Sequence, residues 1–208
     1  MKPIVIINFK TYKSGKDAVS LAKQIEKFDK NIIVGVQATD LHSIYSLTSL
    51  NVFIQHVDLC EPGRNTGFIT PEAAYAIGAR GAFLNHSEHK LSFDVIKNTV
   101  TRCKKLKLKT AIFASNLKEA KKIKSLKPDY LIYEPPELVA GNISVSKAKP
   151  DLIKKISKNL KYDFIVGAGI KNKEDVDIAM RLGAKGIAVS SAITKARNPK
   201  KALKELLG

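Results

Sequence analysis

Apolar, β-branched runs recur along the 208-residue chain at intervals of roughly two to three dozen residues, and each is followed by a longer stretch with helical periodicity. The expected strands are Ile4–Phe9, Ile32–Val36, Val52–Gln55, Ala82–Leu84, Thr110–Phe113, Tyr130–Tyr133, Phe164–Val166 and Gly186–Val189. Between them the pattern predicts helices over Lys16–Phe28, Phe93–Lys105, Leu117–Leu126, Lys147–Lys158, Lys173–Leu182 and Pro199–Leu206, with shorter ones over Asp40–Leu50 and Pro71–Gly78. Gly78, Gly183 and the pair Asn198-Pro199 punctuate the joints. The alternation never breaks into a block of strands or helices alone. Eight βα units with no second domain predict a single (β/α)8 barrel over residues 1–208, its strands sheathed by helices and therefore apolar on both faces. A doubly wound open sheet competes with this architecture. It would more often carry a glycine fingerprint after its first strand, where this chain has Asn8-Phe9-Lys10.

Composition narrows the function classes. The apolar share of 44% is ample for one sizeable core. The run Ile4-Val5-Ile6-Ile7 is too soon interrupted by Asn8 and Lys10 for a signal sequence, and no stretch reaches membrane-spanning length, so a cytoplasmic protein without a membrane partner is expected. Cys60 and Cys103 stand far apart with no clustered histidines, which indicates two free thiols, no disulfide framework and no metal site. Thirty-six basic residues against 19 acidic ones give a net charge of +17, attractive to nucleic acid, anionic membranes or phosphorylated metabolites alike. The lysines are spread over almost every expected helix and only five of the basic residues are arginine. A dedicated nucleic-acid face would be concentrated and interleaved with exposed aromatics, so no nucleic-acid partner is expected.

Three polar motifs end apolar runs: Asn8-Phe9-Lys10, Asn85-His86-Ser87-Glu88 and Glu134-Pro135-Pro136-Glu137. In a parallel barrel, catalytic groups gather where strands end, so a cation, an imidazole and a carboxylate far apart in sequence converge on one mouth. Glu134, stiffened by two following prolines, suits a general base; from position alone it could equally be a capping or salt-bridged glutamate. Ser87 is placed to cap a following helix, whose N-terminus would lower the pKa of His86 and keep it neutral. His42, His56 and His89 are read as structural. Period-two geometry would turn Asn8 and Lys10 to the same face, where the lysine can neutralise a substrate anion. Gly167-Ala168-Gly169 and Ser190-Ser191-Ala192, after the last two strands, bring small residues to the loops where barrels commonly hold phosphate.

In this order the motifs resemble the triosephosphate isomerase family, specifically its short archaeal form. The resemblance runs through Asn8-Phe9-Lys10-Thr11-Tyr12, Gln55-His56-Val57-Asp58, Gly67-Phe68-Ile69-Thr70-Pro71-Glu72, Asn85-His86-Ser87-Glu88, Glu134-Pro135-Pro136-Glu137-Leu138, Gly167-Ala168-Gly169-Ile170 and Ala196-Arg197-Asn198-Pro199. It implies a TIM barrel that interconverts dihydroxyacetone phosphate and D-glyceraldehyde 3-phosphate through an enediol or enediolate, a step of glycolysis and gluconeogenesis. It further implies that Asn8 and Lys10 bind substrate, that His86 is the electrophile and Glu134 the base, and that Glu88 positions Lys10. Val139, Gly169, Ser190 and Ser191 would meet substrate or its phosphate through backbone groups. No cofactor or metal is implied, and the assembly would be a homodimer or homotetramer. The chain departs from the family at Val139-Ala140-Gly141-Asn142, where archaeal relatives carry an Ile-Gly-Thr-Gly-like lid stretch, at Ser115, near which they have a cysteine, and at Ser190, where alanine is more typical. Other sugar-phosphate barrels, an epimerase or an aldolase, would favour metal ligands or a Schiff-base lysine inside a central strand, and a non-catalytic basic scaffold would bind random duplex DNA without turnover.

Overall fold

The computed structural model describes residues 2–135 and 150–208. Eight parallel strands close into a barrel in sequence order: β1 (Ile4–Asn8), β2 (Ile33–Val36), β3 (Asn51–Ile54), β4 (Gly81–Leu84), β5 (Lys109–Ala114), β6 (Tyr130–Tyr133), β7 (Ile165–Val166) and β8 (Gly186–Val189). Closure is made by β1 against β8, with Ile4 opposite Gly186 and Ile7 opposite Val189. The outer layer among the described residues comprises α1 (Gly15–Phe28), α2 (Ala38–Leu47), α3 (Pro71–Ala76), α4 (Phe93–Lys105), α5 (Leu117–Lys124), α6 (Pro150–Leu160), α7 (Lys173–Arg181), the single turn α8 (Ser191–Thr194) and α9 (Pro199–Leu207). This is the expected (β/α)8 barrel. None of these helices is long and apolar enough to cross a membrane.

Strand alternation sorts the apolar residues into two layers. Ile6, Ile33, Phe53, Phe83, Ala111, Phe113, Ile132, Ile165 and Ala188 fill the barrel. Val5, Ile7, Val34, Val36, Val52 and Ile54 instead face the helices. Three phenylalanines dominate the interior and meet edge to face or tilted, Phe53 with Phe83 at 6.1 Å and Phe83 with Phe113 at 5.4 Å between ring centroids. Glycine makes room for them: a Cβ on Gly35 would overlap the Phe83 ring, and one on Gly81 the Phe53 ring. Bulk on one strand is thus matched by its absence on another.

The helices dock through narrow stripes. α1 buries Ala18, Leu21, Ala22 and Ile25, and α6 buries Ile153, Ile156 and Leu160, both following the three-and-four spacing of one helix face. Thr70, Ser92, Asn116, Asn172 and Asn198 each accept an N–H of the first turn of the helix that follows. Differences from the sequence expectations concern element ends and one extra helical turn. β1 stops at Asn8 because Lys10 takes a left-handed conformation, φ 48°, that no strand accommodates. α3 stops at Ala76, before Gly78 with φ 101°. The helix expected from Lys147 is described only from Pro150, its earlier residues lying outside the described part. The turn α8 was not anticipated, since Ser190-Ser191-Ala192 reads as a loop.

Candidate active site

A cavity of about 510 Å³ opens at the C-terminal end of the barrel. Asn8, Lys10, His86, Glu134, Gly169, Ser190 and Ser191 all line it. Residues from five βα units therefore meet in one place, as parallel strands with a common direction require. Val139 and the stretch Val139–Asn142 lie outside the described residues.

Glu134 directly follows β6, its N–H donating to the Ala114 carbonyl at 2.9 Å. The side chain is buried, and Oε2 accepts a hydrogen bond from the Ser87 hydroxyl at 3.2 Å. Burial pushes its pKa up to about 7, against the opposing pull of Lys10 and of the Ser87 hydrogen bond. Gly167, on the neighbouring strand, permits this placement: a Cβ there would press on Ile132 and come 3.2 Å from the Glu134 Cβ.

His86 Nε2 lies 3.4 Å from Glu134 Oε2. Its Nδ1 accepts the Glu88 backbone N–H at 3.1 Å, so the single proton of a neutral imidazole must sit on Nε2, directed into the cavity. Burial, then the charge of Lys10, push the His86 pKa down to about 4. The expected cause was different. Ser87 and Glu88 form a turn rather than a helix start, α4 begins at Phe93 under the cap of Ser92, and the Ser87 hydroxyl serves Glu134. Neutrality comes from desolvation beside a cation.

Lys10 Nζ pairs with Glu88 Oε1 at 2.6 Å. Asn8 and Lys10 reach the mouth together, but not by strand alternation. The strand ends at Asn8, whose Oδ1 accepts the Lys10 N–H at 2.9 Å and Gln55 Nε2 at 3.2 Å, while the left-handed turn at Lys10 re-aims the lysine. Gln55 Nε2 also approaches the carbonyls of Lys10 and Gly35 at 3.0 and 3.2 Å. Gln55 was given no site role from sequence, Ser87 was expected as a helix cap rather than as a partner of Glu134, and Gly167 was expected in the phosphate loop rather than as the residue that makes room for Glu134. Gln55 and Ser87 carry the same signal as the assigned residues, a polar side chain just past a strand, whereas Gly167 is legible only from its neighbours.

On the opposite wall Gly169 holds φ 71°, and α8 starts at Ser191. The first N–H groups of any helix lack carbonyl partners within it, so this turn and the Gly169 bend offer donors to an anion. Among the described residues no group of three or more His, Cys, Asp or Glu is arranged to hold a metal ion. His56 stacks on His89 at 3.9 Å and contacts Asp58 at 3.2 Å, outside the cavity lining.

A parallel barrel whose mouth joins a carboxylate of raised pKa to a neutral imidazole and a paired lysine defines a barrel enzyme built for proton transfer next to an oxyanion. The comparison with known proteins narrows that class: a model of the triosephosphate isomerase family matches residues 3–206, and the chain belongs to that family. It is 39% identical to triosephosphate isomerase of Sulfolobus acidocaldarius, over 99% of this chain and 94% of that one. Identity is 40% to the Saccharolobus solfataricus protein, over 99% and 95%. With that of Methanocaldococcus jannaschii it is 37%, over 98% of each.

Proposed function

We propose that the chain is a triosephosphate isomerase, interconverting dihydroxyacetone phosphate and D-glyceraldehyde 3-phosphate by proton transfer through an enediol or enediolate. The observation that carries this reading is the 3.4 Å approach of His86 Nε2 to Glu134 Oε2 within reach of the Lys10 charge. The pairing of a glutamate base with a neutral histidine is the one known for this family, not a new deduction.

Glu134 removes the proton from the carbon beside the carbonyl and returns it to the neighbouring carbon. A base with a pKa of about 7 is about half ionised at neutral pH and, in that form, strong enough to compete for a carbon-bound proton. His86 donates its Nε2–H to the oxygen on which negative charge develops, and Lys10, steadied by Glu88, adds a positive charge beside it. Asn8 orients substrate and Lys10. Backbone groups at Gly169, Ser190 and Ser191 hold the phosphate, and Val139 is assigned to the same grip. These proton transfers use side chains alone. We also assign the chain to a homodimer or homotetramer, supported by the exposure of Leu47, Leu59, Phe68 and Tyr75.

The deciding experiment is isomerisation of glyceraldehyde 3-phosphate by purified protein in a coupled dehydrogenase assay, with Glu134→Ala as the control for host enzyme. Turnover is expected in the wild type and a loss of at least about a thousandfold in the variant, the scale of general-base catalysis. Equal rates in the two proteins would remove Glu134 from the mechanism.

A further inference from the structure

The loop that carries His86, between β4 and α4, is fastened to a carboxylate on a different unit. Asn85, directly before His86, holds φ 61° and is fully buried. Asparagine enters the left-handed region more readily than other side chains when its amide is hydrogen-bonded, and here the amide is. Asn85 Nδ2 donates to the Phe113 carbonyl at 2.8 Å and to Glu119 Oε1 at 2.7 Å, while Oδ1 accepts the Leu91 N–H at 3.0 Å. The last bond closes the loop from 85 to 91 on itself. The first two bind its base to β5 and α5.

Glu119 is the hub of this arrangement. It is the third residue of α5, whose cap is Asn116, a spacing at which an acidic side chain commonly turns back onto its own cap. Asp175 does this in α7, where Asn172 and Asp175 complete a capping box. Glu119 behaves otherwise. Its Oε2 accepts the Ser115 N–H at 2.6 Å, and its Oε1 is given to the other loop, accepting from Asn85 Nδ2 and from Lys90 Nζ, both at 2.7 Å. Burial alone would raise its pKa, but the hydrogen bonds from Lys90, Ser115 and Asn85 outweigh this and hold it below the usual carboxylate range, ionised. Lys90 is in turn one of the cations whose charge bears on both His86 and Glu134. The His86 ring packs edge-on against Phe113, at 4.7 Å between centroids, the residue whose carbonyl Asn85 also holds.

We propose that Glu119 is a positioning residue for His86: through Asn85 and Lys90 it locks the β4–α4 loop in the conformation that aims the imidazole Nε2–H into the cavity. The inference rests on the isomerase reading for its consequence in turnover, and on geometry alone for its consequence in structure. Glu119 touches no substrate. Losing it frees the left-handed turn at Asn85 to relax and releases Lys90, so an imidazole displaced by a fraction of an ångström stabilises the oxyanion less while the phosphate grip on the far wall is untouched.

The test uses the full chain with Glu119→Gln, which leaves one acceptor for three donors, and Glu119→Asp, which keeps the charge at the helix start but is one methylene too short to serve both loops. Each variant is expected to lower kcat about tenfold to a hundredfold, the scale of a small misplacement at a reacting centre, with KM changed by less than about threefold. Asn85→Gly, which tolerates the left-handed turn but lacks the side chain, should give a similar loss, and the double variant with Glu119→Asp should be no slower than the slower single variant. The 15N and 1H resonances of the His86 imidazole should shift or broaden in every variant. Unchanged kcat, or a lowered melting temperature with wild-type His86 resonances, would overturn the proposal and leave Glu119 as a helix-end stabiliser. If the wild type fails to turn over triose phosphate the functional reading falls, while the imidazole spectra still decide whether Glu119 sets the place of His86.

Discussion

Glu134 and His86 are two ionisable groups that burial drives in opposite directions, one pKa up to about 7 and the other down to about 4. Their linkage to stability differs in sign. Glu134 titrates at about 7 when folded against 4.5 for a free glutamate, so the unfolded chain gives up this proton first and stability falls as pH rises between those values. His86 titrates at about 4 when folded against 6.5, so its contribution is complete above about 6.5 and is lost as pH falls towards 4. Glu134→Gln isolates the first effect. The variant should exceed the wild type in stability by about 3 kcal/mol at pH 8, and the gap should close by pH 4, as read from urea unfolding at the two pH values. An equal gap at both would show that Glu134 is not driven up by burial. The convergence of Glu134, His86 and Lys10 on one cavity was legible because a charged or imidazole side chain directly after an apolar strand stands out. Their electrostatics were not: the cause assigned to His86, a helix start at Ser87, gave way to burial beside Lys10, which depends on groups distant in sequence.

At the scale of elements, the interior of the barrel is a negotiation between bulk on one strand and its absence on a neighbouring or next-but-one strand. Phe83 on β4 fills the space that Gly35 on β2 leaves, and Phe53 on β3 does the same opposite Gly81 on β4. Neither glycine needs a positive φ; each is required by the ring that crosses it. Gly35→Ala should therefore destabilise the protein by about 3 kcal/mol through overpacking, measured by denaturant unfolding, and Phe83→Leu in that background should recover part of the loss. A neutral Gly35→Ala would mean that the ring can move aside. Strand and helix order followed from periodicity, and β6, β8 and α4 agree with their expected bounds residue for residue. Ends were less legible where a local device overrode the pattern. The left-handed turn at Lys10 cuts β1 short, and α8 is a single turn too brief to show a period.

For the whole molecule, closing the sheet is what turns scattered strand ends into a site: β8 pairing with β1 brings Ser190 and Ser191 onto the same cavity as Asn8 and Lys10. The outer surface retains exposed apolar side chains, with Phe68 at 58% and Leu47 at 52% exposure, which a larger assembly would cover. Light scattering of the purified protein should return two or four times the 22.8 kDa chain mass. A mass of one chain at working concentration would remove the homo-oligomer from the reading.

The linear order of residues carried what is local or periodic: eight βα units, the direction of every strand, and so the end at which Asn8, Lys10, His86 and Glu134 had to emerge. These follow from side-chain spacing and from the parallel geometry that βα repetition imposes. Tertiary structure alone decided what depends on contact. It placed the Ser87 hydroxyl on Glu134, re-aimed Lys10 through Asn8 and Gln55, and brought Glu119 across to Asn85. The physical reason is that desolvation, charge and hydrogen-bond geometry are set by through-space neighbours, which a chain acquires only when its barrel has closed.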